Sequence, residues 1–284
     1  MTTRTFRAMG CEIVVAGAGD RTAAAIRRLF AAREATFSRF RPDSELSAVN
    51  TAAGRPTVVS AGFARMLERS LALAAETDGL VDPTVGAALV ALGYTRDLSE
   101  LGDDPAPAGA PRPAPGWRRV ELCGRLLRIP AGSALDLNGV VKSATVDDAA
   151  ALLDGDGFVS AGGDLAVRGP TVVALPGGGA VSAVRGGIAT SGSTKRRWRR
   201  AGETHHHLVD PATGRSAETP WEAVTASGAT CVAADVAARA AFLAGAGGPA
   251  WLDRRGIPGR FVAAGGTVTV NRSWAAMVGE PACT

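Results

Sequence analysis

Apolar and polar positions sort this chain into short strands separated by a few helices. An opening strand is predicted from about Phe6 to Ala16. An amphipathic helix follows from about Arg21 to Phe37, with Arg27, Arg28, Arg33 and Glu34 on its wet face. A second helix is predicted from Ala61 to Thr77. Residues 102–116 are dominated by proline, alanine and glycine, which sustain neither a helix nor a central strand, so a long exposed loop is expected there. Short strands are expected around Arg118 to Leu122 and Leu126 to Ile129.

The second half continues in the same way. Ala134 to Leu153 reads as a short apolar strand that breaks at Asn138-Gly139 and goes on as a helix, which sets Lys142 at a strand-to-helix turn. Phe158 to Gly169 reads as two strands hinged at Gly162-Gly163, and residues 176–179 as a flexible turn. The alanine-rich run from Cys231 to Leu243 is the last strong helix and places Asp235 and Arg239 one turn apart on one face. Strands near Arg260 to Ala264 and Thr267 to Asn271 close the chain. Hairpins with interspersed helices make an α+β fold with mostly antiparallel sheets.

Composition sharpens this picture in a few places. At 284 residues and 46% hydrophobic, the chain can bury a real core as one large domain or two close lobes. It has no apolar run of about eighteen residues, so no helix is expected to span a membrane. Met1 to Arg7 lacks the apolar segment of a secretory signal, and no cysteine stands where a lipoprotein anchor would, so a cytoplasmic location is expected. Cys11, Cys123, Cys231 and Cys283 are scattered without zinc spacing, and free buried thiols are expected. The net charge of +4 matters mainly through Lys195-Arg196-Arg197-Trp198-Arg199-Arg200. That run would steer phosphates or an acidic partner; a solvated loop before the histidines is the commoner explanation. One short basic run with one tryptophan does not argue for nucleic acid.

Four stretches carry candidate chemistry. All three histidines, His205, His206 and His207, stand directly before Asp210-Pro211-Ala212-Thr213-Gly214. An imidazole titrates near neutral pH, so one held beside a rigid turn suits a general base; a solvated strand end or adventitious metal site has the same residues. Lys142 would add a full charge to the anion-attracting start of a helix, although an exposed lysine on an ordinary connection is the plainer reading. Gly162-Gly163-Asp164 permits close backbone approach to a ligand, or is simply a hairpin hinge. Thr190-Ser191-Gly192 suits either a hydrogen-bonding ligand loop or a turn.

In order and rough spacing these stretches resemble the flavin transferase family called ApbE, the FAD:protein FMN transferases. The likeness also takes in Phe6 to Cys11, Phe37 to Asn50, Thr77 to Gly86, and the helix that carries Ala234-Asp235, so it covers nearly the whole chain. The resemblance implies an ApbE-like (T-fold-like) α+β architecture with a flavin cleft. It implies that FAD is split at its pyrophosphate, that FMN passes to a threonine or serine hydroxyl of an acceptor flavoprotein with an FMN-binding domain, and that AMP leaves. By the same resemblance His207 is the general base, with Asp210, Lys142 and Arg239 beside it as catalytic residues. Met9, Ser44, Asn50, Asp82, Thr84, Lys142, Asp164 and Thr190 are its cofactor contacts. Several have structural alternatives: Ser44 as a helix cap, Asp82 and Thr84 as a proline turn, Met9 as core filling. Mg2+ would be held by Asp235 and the backbone carbonyl of Val141.

The chain departs from the family pattern where the family has a threonine four residues after the aspartate, because Arg239 stands there and a guanidinium cannot ligate magnesium. Either Arg239 itself binds the pyrophosphate and changes the need for metal, or the chain is an FAD-binding or FAD pyrophosphatase protein without protein transferase activity. Smaller departures are Ser143 after the lysine, where the family has glycine, and Cys11, where it has threonine.

Overall fold

A computed structural model describes residues 1–107 and 109–279. Its contacts divide the chain into two compact units. The first holds residues 1–32, 142–192 and the chain from Glu218 onward; the second holds Arg33–Val141 and Ser193–Ala217.

The first unit is built on one eight-stranded sheet whose spatial order follows the chain: Thr3–Ala8, Cys11–Ala16, Gly157–Ala161, Asp164–Ala174, Ala180–Gly192, Trp221–Gly228, Gly259–Ala263 and Val268–Val270. Every neighbouring pair is antiparallel. The strand expected over Phe6 to Ala16 is thus a hairpin, turning at Met9 and Gly10, both with positive φ. A methionine is not a usual turn residue, so the apolar pattern runs through the turn unmarked.

Strand alternation sends Ile13, Val15, Val159, Ala161 and Ala166 into a core that also takes Ile26 and Phe30 from the helix Asp20–Phe37. Val146, Ala149 and Ala150 of the helix Asn138–Ala151, with Leu153 just beyond its end, pack against them. The helix Cys231–Leu243 has the predicted bounds, starts at a Thr230 cap, and is buried over most of its circumference. Its alanines let it lie close to the sheet, and Gly187 opens the way: a Cβ there would meet Thr230 O at 2.3 Å. Gly162-Gly163 forms the expected hinge, between the paired Ala161 and Asp164. The 176–179 turn joins the next hairpin. A helix not anticipated, Arg272–Val278, follows the last strand with an Asn271 cap.

The second unit carries the helices Glu45–Thr51, Ala61–Glu76 and Gly86–Ala91; the second was expected, and the first fits the alternative of Ser44 as a helix cap. It also has a three-stranded sheet of Thr57–Val58, Leu126–Arg128 and Glu121–Cys123. Residues 117–119 form a 3₁₀ turn rather than the start of a strand. Arg197–Arg200 pairs with Glu203–His206, so the basic run is a strand and not a solvated loop. Period-two alternation explains the difference: Arg197 and Arg199 are exposed, while Trp198 points inward and stacks on Tyr94 at 4.9 Å. Trp198 Nε1 donates to Leu92 O at 2.7 Å, and Ala88, Leu89, Leu92 and Val209 pack around the two rings.

The 102–116 segment is mostly exposed, as expected, but it is tied down. Asp104 pairs with Arg200 at 3.7 Å, Gly109 N donates to Ala91 O, and Ala114 N donates to Pro211 O. Cys231 is a buried free thiol, Cys11 is half-buried and Cys123 exposed, so only one of the three fully fits the buried-thiol expectation; Cys283 lies outside the described residues. No helix among the described residues is long and apolar enough to cross a membrane.

Candidate active site

The first unit gathers buried charge around two helices. The helix Asn138–Ala151 begins at Asn138, so Lys142 sits inside it rather than at a strand-to-helix turn. Residues 134–137 form no strand; Ala134 makes an isolated bridge to Val85. Lys142 is not the exposed lysine of the plainer reading. Its ammonium is in direct contact with the Asp164 carboxylate, with side chains 8% and 2% exposed, and it donates to Ala161 O at 3.4 Å. Asp164 opens its strand immediately after Gly162-Gly163, so the hairpin turn sets where this carboxylate points. A pair this dry depends on mutual neutralisation.

Asp147, on the next turns of the same helix, accepts from Cys231 N at 2.7 Å and Val232 N at 3.0 Å, and thereby caps the helix Cys231–Leu243. Nothing in the local sequence around Asp147 marks this role, because its partners lie far away along the chain. Burial, reinforced by the negative charges of Asp235 and Asp147 and opposed by Lys142, pushes the Cys231 thiol well above its ordinary range, so it is protonated at neutral pH.

Asp235 and Arg239 share a face of their helix as predicted. Arg239 Nη2 stands 3.8 Å from Asp235 Oδ1, with the Asp235 side chain 3% and that of Arg239 17% exposed. That separation makes an ion pair without a hydrogen bond. Asp235 Oδ2 and Arg239 Nε are both shielded from solvent and have no hydrogen-bond partner among the described residues. These residues do not fit a magnesium site. The acidic ligand already faces a guanidinium, which offers no lone pair, and the described residues contain no cluster of three or more His, Cys, Asp or Glu side chains suited to a metal. Val141, the other proposed ligand, is buried within the helix Asn138–Ala151. Thr190 Oγ1 bonds Thr225 Oγ1 at 2.8 Å across the adjacent strand, and Met9 packs against the core from its hairpin turn.

The second unit holds the histidine turn. His207 is half-buried between the strand Glu203–His206 and the short strand Val209–Asp210. Asp210 organises the turn: its Oδ1 accepts from Ala212 N at 2.9 Å, and its carbonyl accepts from Gly214 N at 2.8 Å. Gly214 has φ +69°, and a Cβ there would meet Arg112 O at 2.3 Å, so only glycine closes this turn against the neighbouring segment. His206 Nε2 lies 3.2 Å from Ala217 O, and its backbone N–H donates to Ser216 Oγ at 2.9 Å. Burial lowers the His206 pKa against that carbonyl contact, with Arg197 and His205 lowering it further. Burial also lowers the His205 pKa, with Glu203 opposing and Arg200 assisting.

The remaining proposed contacts of this unit are engaged in holding it together. Ser44 Oγ accepts from Ser47 N at 3.0 Å as a helix cap and donates to Ser38 O at 2.6 Å. The Asn50 amide clamps the Leu135 backbone, accepting from its N–H at 2.7 Å and donating to its carbonyl at 3.0 Å. Asp82 Oδ1 accepts from Thr84 N and Oγ1 at 2.7 and 2.6 Å, and its Oδ2 accepts from Trp117 N at 2.9 Å. Thr84 Oγ1 in turn accepts from Gly116 N at 3.2 Å.

The antiparallel α+β fold that carries the buried lysine–aspartate pair and the pinned histidine turn has solved counterparts of the same architecture. The crystal structure of the ApbE protein from Thermotoga maritima superposes with a TM-score of 0.84, at 22% identity, over 97% of this chain and 98% of that one. The apo flavinyl transferase ApbE of Pseudomonas stutzeri gives 0.81 at 21% identity, covering 97% and 96%. The chain belongs to the ApbE family, whose model matches residues 8–261. The FAD:protein FMN transferase of Treponema pallidum is 28% identical over 248 residues, and that of Salmonella typhimurium 29% over 224. These alignments take in 75% and 70% of this chain but 68% and 64% of those proteins, so the chain spans about two thirds of their length.

Proposed function

We infer that this protein transfers FMN from FAD to a threonine or serine hydroxyl of an acceptor flavoprotein and releases AMP. Membership of the ApbE family over residues 8–261, with relatives named FAD:protein FMN transferases, is the observation that carries this reading. The acceptor oxygen attacks the phosphorus on the FMN side of the FAD pyrophosphate. A phosphoester bond forms, the bond to the bridging oxygen breaks, and the electron pair leaves with AMP. His207 takes the proton of the attacking hydroxyl as general base, and Asp210 holds the turn that aims it. Lys142 remains a proposed catalytic residue of this site, held in its buried pair with Asp164.

Ser44, Asn50, Asp82 and Thr84, whose polar atoms bond within the chain, serve this reaction by shaping the flavin-binding side. Met9 and Thr190 remain proposed flavin contacts. The Asp235 and Val141 set is not assigned a metal, and no step is routed through one.

The test is intact-mass analysis of a threonine-bearing FMN acceptor domain after incubation with the protein and FAD. A gain equal to FMN less one water, abolished by His207→Ala, is expected. FAD consumed with the acceptor mass unchanged would instead assign the chain to pyrophosphate hydrolysis, and FAD bound but intact would make it a flavin-binding protein.

A further inference from the structure

We propose that the Arg239 guanidinium is the cation that grips the diphosphate of the bound dinucleotide, in the place where Asp235 would otherwise hold a divalent metal ion. The inference rests on FAD being the ligand and concerns how its charge is met.

The helix Cys231–Leu243 offers two sources of positive potential, its N-terminus and Arg239. The first is already occupied: Asp147 accepts from Cys231 N and Val232 N, and Thr230 Oγ1 accepts from Ala233 N at 3.1 Å. A further anion has no free first-turn N–H groups of this kind to bind and would meet the Asp147 charge. Arg239 is in the opposite condition. Its Nε is buried without a hydrogen-bond partner among the described residues, and its Nη2 is 3.8 Å from Asp235, near enough to be held in position but too far to be locked by a hydrogen bond. A buried guanidinium donor without an acceptor calls for a partner, and an anion from outside the chain would supply one. The complement of a planar fork of N–H donors is a pair of oxygens on one anion, and phosphate fits that geometry.

Charge points the same way. Asp235 and Arg239 together are neutral, so a dication at Asp235 would place two cations against one carboxylate. Among the described residues the other buried cations of this unit are Lys142, committed to Asp164, and Arg260, which donates to the carbonyls of Pro176 and Gly178. Asp235 is therefore a positioning residue: it keeps the guanidinium in place before the ligand arrives.

The experiment titrates FAD and riboflavin into the full-length protein by flavin fluorescence, with EDTA and with Mg2+. Riboflavin lacks the diphosphate, so it reports the flavin part of the site alone. The expected result is a wild-type FAD affinity that changes by less than about twofold on adding EDTA. In Arg239→Gln, FAD affinity falls by about tenfold or more while riboflavin affinity holds, and Arg239→Lys recovers part of the loss. EDTA weakening wild-type FAD binding by about tenfold would overturn the proposal, as would Arg239→Gln leaving FAD binding unchanged or weakening both ligands equally. The wild-type EDTA comparison decides even if a variant fails to fold. Tight, chelator-insensitive FAD binding without acceptor labelling would sink the transferase reading and leave this proposal standing.

Discussion

Replacing Asp164 with alanine tests whether the Lys142 pair governs the stability of the first unit. Both side chains are nearly dry, 2% exposed for Asp164 and 8% for Lys142, and they touch directly. Removing the carboxylate leaves a buried ammonium with the carbonyl of Ala161 at 3.4 Å but without its counter-charge. Breaking a buried pair in this way costs about 3–5 kcal/mol, a large share of the roughly 5–15 kcal/mol that holds a domain folded. Replacing both partners by apolar residues, Lys142→Met with Asp164→Leu, removes the uncompensated charge, and the double variant is expected within about 1 kcal/mol of the parent. Urea unfolding followed by circular dichroism gives both quantities, with an unchanged slope showing that stability and not unfolded-state compactness has moved. The four proteins form a cycle whose coupling energy should reach at least about 2 kcal/mol. A loss below about 1 kcal/mol for Asp164→Ala, or a double variant as unstable as the single, would refute the reasoning.

Three further outcomes are expected. His207→Ala should lower acceptor labelling by about 10²–10⁴-fold while FAD affinity, read by fluorescence, stays within about twofold. Because folding lowers the His205 and His206 pKa values, the unfolded chain binds protons first on acidification. Stability should therefore be full above about pH 6.5 and decline below it toward the lower folded values, as a falling melting temperature; His206→Gln should flatten that decline. Asn50→Ala leaves two buried Leu135 backbone groups without partners and should cost about 1–3 kcal/mol in urea with riboflavin affinity unchanged; a weakened affinity at full stability would make Asn50 a flavin contact instead.

Much of the local structure could be read along the chain. Helices at Asp20–Phe37, Ala61–Glu76 and Cys231–Leu243 fall within a residue of their expected bounds, because apolar periodicity and capping residues such as Ser60 and Thr230 act over a few positions. Short helices such as Glu45–Thr51 and Gly86–Ala91 span too few turns to show a period. The hairpin inside Phe6 to Ala16 was hidden by a methionine in a left-handed turn position. Charge on Arg197 and Arg199 masks the alternation that buries Trp198, so the basic run reads along the chain as a loop.

By itself the sequence determined the α+β class, the exposed 102–116 segment, the facing of Asp235 and Arg239, and membership of the ApbE family, since each rests on residue types at fixed short spacings. Long-range packing sets which polar groups meet: Lys142 with Asp164, Asp147 with the start of a distant helix, the Asn50 amide with Leu135. Local pattern tells a side chain whether to turn inward. Its partner there is chosen by packing between segments far apart in the chain, where a buried polar group must find a complement or leave one for a ligand.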